Sequence, residues 1–169
     1  DVSLAEDSES ILEAAMPLFK LRRLRWHYRS RHESLIAFSN KAFYESNLVV
    51  YPSPHRESAE FGVKFVRVPR GRFVEQRNLE EAEVVAKAIE HHVIHRPDES
   101  LGVVAMNVKQ ADQIERMLEH LAKQSPQLQV ALDRNKDQDE PLFIKNLENV
   151  QGDERDVIYI SGTYGPMEV

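Results

Sequence analysis

The stretch LGVVAMNVKQADQIERMLEHL, residues 101–121, decides the fold class. It opens with an apolar run, Leu101 to Met106, which is bounded by turns and is typical of a central strand in a parallel sheet. Asn107 and Gln110 then form a helix-capping pair. Apolar residues recur after this pair at helical spacing, at Ala111, Ile114, Leu118 and Leu121. A buried strand that leads directly into an amphipathic helix predicts a layered α/β domain.

The residues on either side extend this pattern. Asn78, with Glu81 three residues later, predicts a capped helix before the strand. The buried stripe of that helix would be Leu79, Ala82, Val85, Ile89 and Val93. Gln124 to Glu140 is polar and is predicted to be a surface loop with a short helical piece, and Leu142 to Lys145 and Asp156 to Ser161 are predicted strands. Strands that alternate with helices predict a mainly parallel sheet flanked by helices.

The first part of the chain is predicted to contain shorter elements. A helix is expected from Ser8 to Met16 and a strand from Leu21 to Trp26. Ser30 and Glu33 have the spacing of a capping box, which predicts a helix that starts at Ser30. Val63 to Val68 alternates in hydropathy as a strand does.

Composition limits the class of protein. With 169 residues, 41% of them hydrophobic and 30% charged, the chain has the make-up of one soluble globular domain. The net charge of −6 excludes a basic footprint over the whole domain. Two stretches, Lys20 to His32 and Lys64 to Arg77, are nevertheless basic. A local basic face can bind phosphates on an acidic protein.

The absence of cysteine excludes disulfides and thiolate zinc sites. No apolar run approaches the roughly 20 residues that span a bilayer, so we expect a cytoplasmic protein that does not enter membranes. The sequence begins at Asp1 rather than at a methionine, and we expect it to be a piece of a longer protein.

Trp26 to His32, WHYRSRH, is the first candidate site. It is predicted to lie where a strand ends and a helix begins, and ligands of open α/β sheets collect at such places. Its arginines can form bidentate bonds to phosphate, and Tyr28 could stack on a base. The alternative is a basic surface patch that caps a helix.

Asn146 to Ser161, NLENVQGDERDVIYIS, is the second candidate site. Gly152 would allow a backbone amide to approach a phosphate closely. Glu154 and Gln151 could bond to a ribose hydroxyl or to a nucleic-acid strand. The alternative is a tight turn with solvated charges.

In this order, the two sites resemble the signatures of a known family. LRWHYRSRHESLIAFSN and IKNLENVQGDERDVIYIS are similar to strings in superfamily 1 helicases related to the nonsense-mediated-decay and Okazaki-fragment helicases. The nearest likeness is to a bacterial branch of large multidomain proteins, and LGVVAMNVKQADQIERML resembles that branch's intervening segment. The resemblance implies a RecA-like fold of the P-loop NTPase type, with residues 1–169 forming the second motor domain.

The resemblance also implies roles at the nucleotide. Arg29 matches the arginine that reaches the γ-phosphate from the second domain, and Tyr28 matches the aromatic residue near the base. Gly152 matches the glycine whose amide approaches the γ-phosphate, and Glu154 matches the carboxylate near the ribose. His27 departs from the family, because many relatives carry Gln at this position.

Nucleic-acid roles follow in the same way. Gln151 matches a residue that links the ATP state to the bound strand, and Gln110 matches a polar residue near the strand. Many relatives carry Pro-Tyr where this chain has Met106 and Asn107. The implied partner is single-stranded nucleic acid, with DNA favoured over RNA.

Two helicase motifs are missing from this sequence. It has no G-x-x-x-x-G-K-[ST] loop, and no Asp-Glu pair follows an apolar strand as a magnesium site. The family places both in a first RecA-like domain, upstream in the same polypeptide, and places a final arginine motif beyond Val169. The parent protein would therefore bind ATP and Mg²⁺ with its metal ligands outside this chain, and this piece alone would be inactive as an ATP hydrolase.

Other functions remain open at this stage. The parent could be a nucleic-acid-binding ATPase switch without unwinding activity, or the domain could be a protein-interaction module that keeps the fold. His91 and His95 have the spacing of a metal pair, and Asp133, Asp137 and Asp139 carry possible calcium ligands. For both groups, solvated surface positions are the preferred interpretation, and no metal site is predicted.

Overall fold

The computed structural model describes residues 10–54 and 61–166. The chain divides into two compact units, residues 1–65 and residues 66–169. Each unit has its own parallel sheet.

The first unit is built around a two-stranded parallel sheet. Its elements are helix α1 (Ile11–Ala15), strand β1 (Trp26–His27), helix α2 (Ser34–Phe43) and strand β2 (Val49–Val50). Trp26 pairs with Val49 and His27 with Val50. The Trp26 ring also stacks on Tyr51, with 5.7 Å between the ring centroids. Tyr51 directly follows β2, so this ring contact continues the contact between the two chain segments one residue beyond the strand.

Two predictions for this part of the chain were partly right, and a third was wrong. The predicted helix from Ser8 is described only from Ile11, with Ser10 as its cap, and residues 8 and 9 lie outside the described residues. The predicted strand Leu21 to Trp26 is reduced to Trp26–His27. Val63 to Val68 contains no strand, and Phe65 is 89% exposed. The boundary between the two units falls inside this last segment.

The predicted capping box at Ser30 and Glu33 is wrong. The backbone N–H of Ser30 donates to His27 Nε2 at 3.2 Å, so Ser30 belongs to a turn after β1. Helix α2 starts at Ser34, whose backbone N–H donates to His32 Nδ1 at 3.1 Å. The Glu33 carboxylate accepts a bond from the backbone N–H of Ser53 instead of bonding within the helix. The His32 ring thus accepts a backbone N–H at the start of this helix, the role that the predicted capping box gave to the Ser30 hydroxyl.

The second unit contains a three-stranded parallel sheet flanked by helices, which confirms the predicted α/β class. Its elements are α3 (Leu79–His95), β3 (Leu101–Ala105), α4 (Val108–Gln124), α5 (Pro126–Lys136), β4 (Phe143–Asn146), a 3₁₀ turn (Leu147–Asn149) and β5 (Val157–Ser161). The strand order is β4-β3-β5. All five residues of β3 are buried, as predicted for a central strand.

The two faces of this sheet differ. One face carries Leu101, Val103 and Ala105, which form the core with buried residues of α3, α4 and α5. The other face includes Ile158 and Ile160 of β5, which are 41% and 66% exposed. Because alternate residues of a strand point to opposite faces, β5 faces the core on one side and an exposed surface on the other.

Helix α5 occupies most of the segment from Gln124 to Glu140, which was predicted to be a surface loop with only a short helical piece. Ser125 caps it by accepting from the backbone N–H of Leu128 at 3.2 Å, and Pro126 occupies its first turn. Leu128 and Ala131 are buried in the core, and buried Asn135 accepts from the backbone N–H of Leu142 at 2.7 Å. The length and burial of the helix were underestimated because its buried stripe includes a small residue and an amide, so its mean hydropathy is low. None of the helices that the structure describes is long and apolar enough to cross a membrane.

Replacement of Leu128 by alanine tests this correction. Leu128 is fully buried, whereas Val130 on the same helix is 70% exposed. We expect Leu128→Ala to lower the free energy of unfolding by about 2–5 kcal/mol, and Val130→Ala to change it by less than about 0.5 kcal/mol. Urea denaturation monitored by circular dichroism measures both. Equal effects would mean that α5 is not part of the core.

Candidate functional site

The candidate site lies at the carboxyl edge of the three-stranded sheet. Strands β3 and β5 end there, at Ala105 and Ser161. The first residue of α4, Val108, follows β3 after a two-residue connection. Ser161 is joined to Asn78, the cap of α3, through the side chain of Gln110. Two helix starts therefore meet two strand ends at the edge where open parallel sheets bind ligands.

Gln110 is the centre of this arrangement. It is fully buried, and its Oε1 accepts from the backbone N–H of Asn78 at 2.8 Å. Its Nε2 donates to the backbone oxygen of Asn78 at 3.2 Å and to Ser161 Oγ at 3.1 Å. The amide thus satisfies both backbone groups of one residue, as a neighbouring strand would. This burial gives Gln110 a structural position beneath the surface of the edge.

Glu81 forms the other half of the network. Its Oε1 accepts from Ser161 Oγ at 2.6 Å and from the backbone N–H of Thr163 at 3.0 Å. Its Oε2 accepts from Asn78 Nδ2 at 3.1 Å. Thr163 is fully buried and has a φ of +63°, a left-handed conformation that costs energy in a β-branched residue. The carboxylate therefore holds the segment after β5 in a conformation that it would not adopt alone.

The cap predicted at Asn78 is half right. Asn78 Oδ1 accepts from the backbone N–H of Glu81 at 3.1 Å, as a helix cap does. In a capping box, Glu81 would return a bond to the backbone N–H of Asn78. Here Gln110 occupies that N–H, and Glu81 instead reaches β5. The capping pair predicted at Asn107 and Gln110 is also half right: the backbone N–H of Gln110 donates to Asn107 Oδ1 at 2.9 Å, but the Gln110 side chain bonds to Asn78 and Ser161.

The connection from β4 to β5 carries the second predicted site. Gly152 has a φ of +88°, and no other atom lies within 4 Å of the position that a Cβ would occupy. Gln151 and Glu154 are exposed beside it. The turn is therefore open on the side where a Cβ would lie, and the left-handed φ favours glycine at this position.

Contacts along β4 place the turn at the carboxyl edge. Asp153 Oδ2 accepts from Lys145 Nζ at 2.6 Å, near the end of β4. Two residues later, the Arg155 guanidinium lies 4.9 Å from the Phe143 ring centroid and donates to the backbone oxygen of Pro141 at 2.9 Å. The chain therefore runs back beside β4 from Asp153 to Arg155. The turn around Gly152 is left beyond the strand end.

Tyr28 and Arg29 lie in the first unit, directly after β1. Tyr28 is 90% exposed and Arg29 is also exposed. The bond between His27 Nε2 and the backbone N–H of Ser30 closes a turn around the two residues. The structure therefore brings Tyr28 and Arg29 together in one unit, and Gln110, Gln151, Gly152 and Glu154 in the other.

The possible metal positions have other contacts. The rings of His91 and His95 stack with centroids 4.4 Å apart, and His95 Nδ1 is 2.9 Å from the backbone oxygen of His91. Asp133 bonds to Gln129 and Lys136 on α5. In the parts of the chain that the structure describes, no group of three or more His, Cys, Asp or Glu side chains could hold a metal ion.

Sequence reasoning missed Ser161 and Thr163, and it treated Glu81 only as a cap. Ser161 lies 80 residues from Glu81 in the chain, and no local pattern connects them. The one available signal was a small hydroxyl residue at the end of an apolar strand, beside the glycine at position 162.

Comparison with known proteins assigns the chain to a family. Residues 8–163 match the AAA domain family, and the chain belongs to this family. It is 36% identical over 157 residues to an uncharacterized ATP-dependent helicase of Mycoplasma genitalium, and 37% identical over 158 residues to its homologue in Mycoplasma pneumoniae. Each match covers 87% of this chain and 14% of the relative, so the chain spans only a small part of these proteins.

No solved structure matches the chain significantly. The family match and the parallel sheet flanked by helices establish an α/β RecA-like fold of the P-loop type. Together with the two relatives, they support a helicase-like ATPase motor domain as the general class.

Substitution of Gln110 tests the buried network. Gln110→Ala leaves the backbone N–H of Asn78 without its buried acceptor, and we expect this loss alone to destabilise the fold by about 1–3 kcal/mol. Lys109→Ala, on the exposed neighbour, should change stability by less than about 0.5 kcal/mol. Chemical denaturation compares the two variants. A Gln110 variant as stable as the control would rule out the structural role.

Proposed function

We propose that this chain, residues 1–169, is the second RecA-like domain of an ATP-dependent superfamily 1 helicase of the nonsense-mediated-decay and Okazaki-fragment type. The observation that carries the proposal is the family match over residues 8–163, joined to two relatives described as ATP-dependent helicases. In the parent protein, ATP would bind between this domain and a first RecA-like domain of the same polypeptide.

Arg29 and Tyr28 are the proposed nucleotide contacts of the first unit. Both are exposed at the end of β1. A guanidinium group in this position can offset the negative charge that develops on the transferred phosphoryl group, as an arginine finger does. The exposed Tyr28 ring is free of cover on most of its surface and can pack against the base.

Gly152 and Glu154 are the proposed nucleotide contacts of the second unit. The open space at Gly152 and its positive φ fit the approach of a phosphate oxygen to a backbone amide. The exposed carboxylate of Glu154 fits a bond to the ribose hydroxyls. Mg²⁺ would be held by ligands outside this chain, together with the phosphate-binding loop.

Single-stranded nucleic acid is the proposed partner, with DNA favoured over RNA. Gln151 is exposed beside Gly152, so one turn would contact both the nucleotide and the strand. Gln110 is buried and would act on the strand through the backbone that it holds. ATP hydrolysis would then change the grip on the strand by moving the two motor domains relative to one another.

The first test replaces Arg29 by alanine in the full-length protein. We expect the nucleic-acid-stimulated ATPase rate to fall by about 10³-fold or more, because the charge on the transferred phosphoryl group loses its partner. Nucleotide affinity should change far less than the rate. Steady-state ATPase assays and fluorescent-nucleotide binding measure the two quantities.

Arg116→Ala is the control for this test. Arg116 is an exposed arginine on α4, outside both candidate sites, and its loss should leave most of the rate intact. An unchanged rate in Arg29→Ala would overturn the arginine-finger assignment. Strand-displacement assays on the wild-type protein separate a helicase from an ATPase switch that does not unwind.

The second test compares two glycines. Both Gly152 and Gly162 have open space where a Cβ would lie, but only Gly152 has a left-handed φ. We expect Gly152→Ala to lower the ATPase rate at least tenfold, since a missing or displaced phosphate donor costs about 10²-fold or more in other enzymes. Gly162→Ala should retain the rate. The phosphate role of Gly152 is disproved if both variants behave alike in ATPase assays.

A further inference from the structure

Two segments of the second unit meet beside the carboxyl edge. One precedes α3 (residues 66–77) and the other follows β5 (residues 162–166). A Cβ on Gly165 would lie 2.9 Å from the backbone oxygen of Gly71, and the backbone N–H of Phe73 donates to the oxygen of Pro166 at 3.2 Å. The close approach requires glycine at position 165, and it joins the segments into one surface.

The segment before α3 ends in a rigid turn. The backbone N–H of Val74 donates to the backbone oxygen of Arg77 at 2.9 Å, and the backbone N–H of Arg77 donates to the backbone oxygen of Val74 at 3.0 Å. Glu75 and Gln76 between them have φ values of +48° and +67°, as in the tight turns of two-residue hairpins. Arg77 bonds across this turn to Glu75 at 2.9 Å. The turn is therefore locked by its own backbone and by an ion pair.

The surface is basic on an acidic protein. Residues 66–77 contain four arginines and one glutamate, a net charge of +3, whereas the whole chain has −6. Arg70 and Arg72 are exposed and flank Gly71, the residue that touches the second segment. These two arginines lie where the two segments join.

An aromatic pair lies on the same surface. The rings of Phe73 and Tyr164 have centroids 5.0 Å apart at an interplanar angle of 56°. Phe73 is half-buried and supports Tyr164, which is 65% exposed. A large aromatic ring that is held from one side and open on the other can stack on a flat ligand.

We propose that Arg70, Arg72 and Tyr164 form a contact surface for single-stranded nucleic acid. The arginines bind backbone phosphates, and Tyr164 stacks on a base. Basic groups beside a supported aromatic ring are the combination that binds single strands without sequence preference, because every base has a face that can stack. A duplex offers phosphates but no free base face, and an acidic peptide offers charge but no base. The inference rests on the proposed function and adds residues to its strand-binding path.

The test uses the full-length protein and a fluorescent oligothymidylate, with binding measured by anisotropy over a range of salt concentrations. Each phosphate contact to a single strand contributes about 0.7 to the slope of log affinity against log salt. We expect Arg70→Ala to reduce the slope by about that amount and Arg70→Lys to retain it. Lys123→Ala is the control, because Lys123 lies at the far end of α4, roughly 22 Å along the helix from Val108.

The aromatic contact has its own test. We expect Tyr164→Leu to weaken oligothymidylate binding about 5- to 150-fold without a change in salt slope, because a lost stacking contact is not ionic. Tyr164→Phe should retain affinity. Binding of a duplex of equal charge should not respond to either Tyr164 variant, and a parallel loss there would overturn the stacking assignment.

The outcomes separate this inference from the proposed function. If the wild-type protein binds no oligothymidylate, the proposed function fails at its nucleic-acid partner. If it binds and the Arg70 and Tyr164 variants match the wild type, this surface is not the contact, and the helicase assignment stands. The ATPase rate without nucleic acid should stay unchanged in all these variants, which confirms that each has folded.

Discussion

The carboxyl edge of the sheet depends on the buried amide of Gln110. A fully buried amide is expensive unless each of its polar atoms finds a partner, and here both atoms bond to backbone or side chain of α3 and β5. Glu81 completes the arrangement from α3, since its carboxylate accepts the Ser161 hydroxyl and the backbone N–H of Thr163. Directional polar bonds therefore join the helix starts to the strand ends, whereas apolar packing is not directional and would fix their relative positions less closely.

This network divides the candidate residues by mechanical role. The segment from Ser161 to Gly165 is tied to the core through Glu81 and Gly71. The turn at Gly152 is outside the network. Asp153 anchors it to Lys145 of β4, and Arg155 contacts Pro141 and the Phe143 ring. The first is tied to the body of the domain, whereas the second is a separate loop, for which we propose a phosphate contact at Gly152. A motor domain needs both behaviours, because one part must transmit motion and another must sense the nucleotide.

Local patterns predicted α3, β3 and α4 because each carries its own signals, namely a capping residue, an apolar stripe or a buried run. The extent of helix α5 was underestimated because Ala131 and Asn135 are buried without raising the hydropathy of the segment. The partner of Gln110 could not be predicted, since Ser161 is 51 residues away and short polar side chains have many possible partners. For the candidate site, the sequence indicated the exposed turn at Gly152 and the residues after β1, and the roles given to them rest on the family resemblance.

The sequence separation of 80 residues from Glu81 to Ser161 also affects the order of folding events during synthesis. Helix α3, which carries the Glu81 carboxylate, is synthesised before the residues after β4 to which this carboxylate bonds. At about 5–20 residues per second, the hydroxyl of Ser161 follows roughly 4–16 s later. Until then the Glu81 carboxylate lacks its bonds to Ser161 and Thr163, and the Gln110 amide has only its bonds to Asn78. The carboxyl edge of the nascent domain therefore remains incomplete until β5, the last strand to be synthesised, has been added.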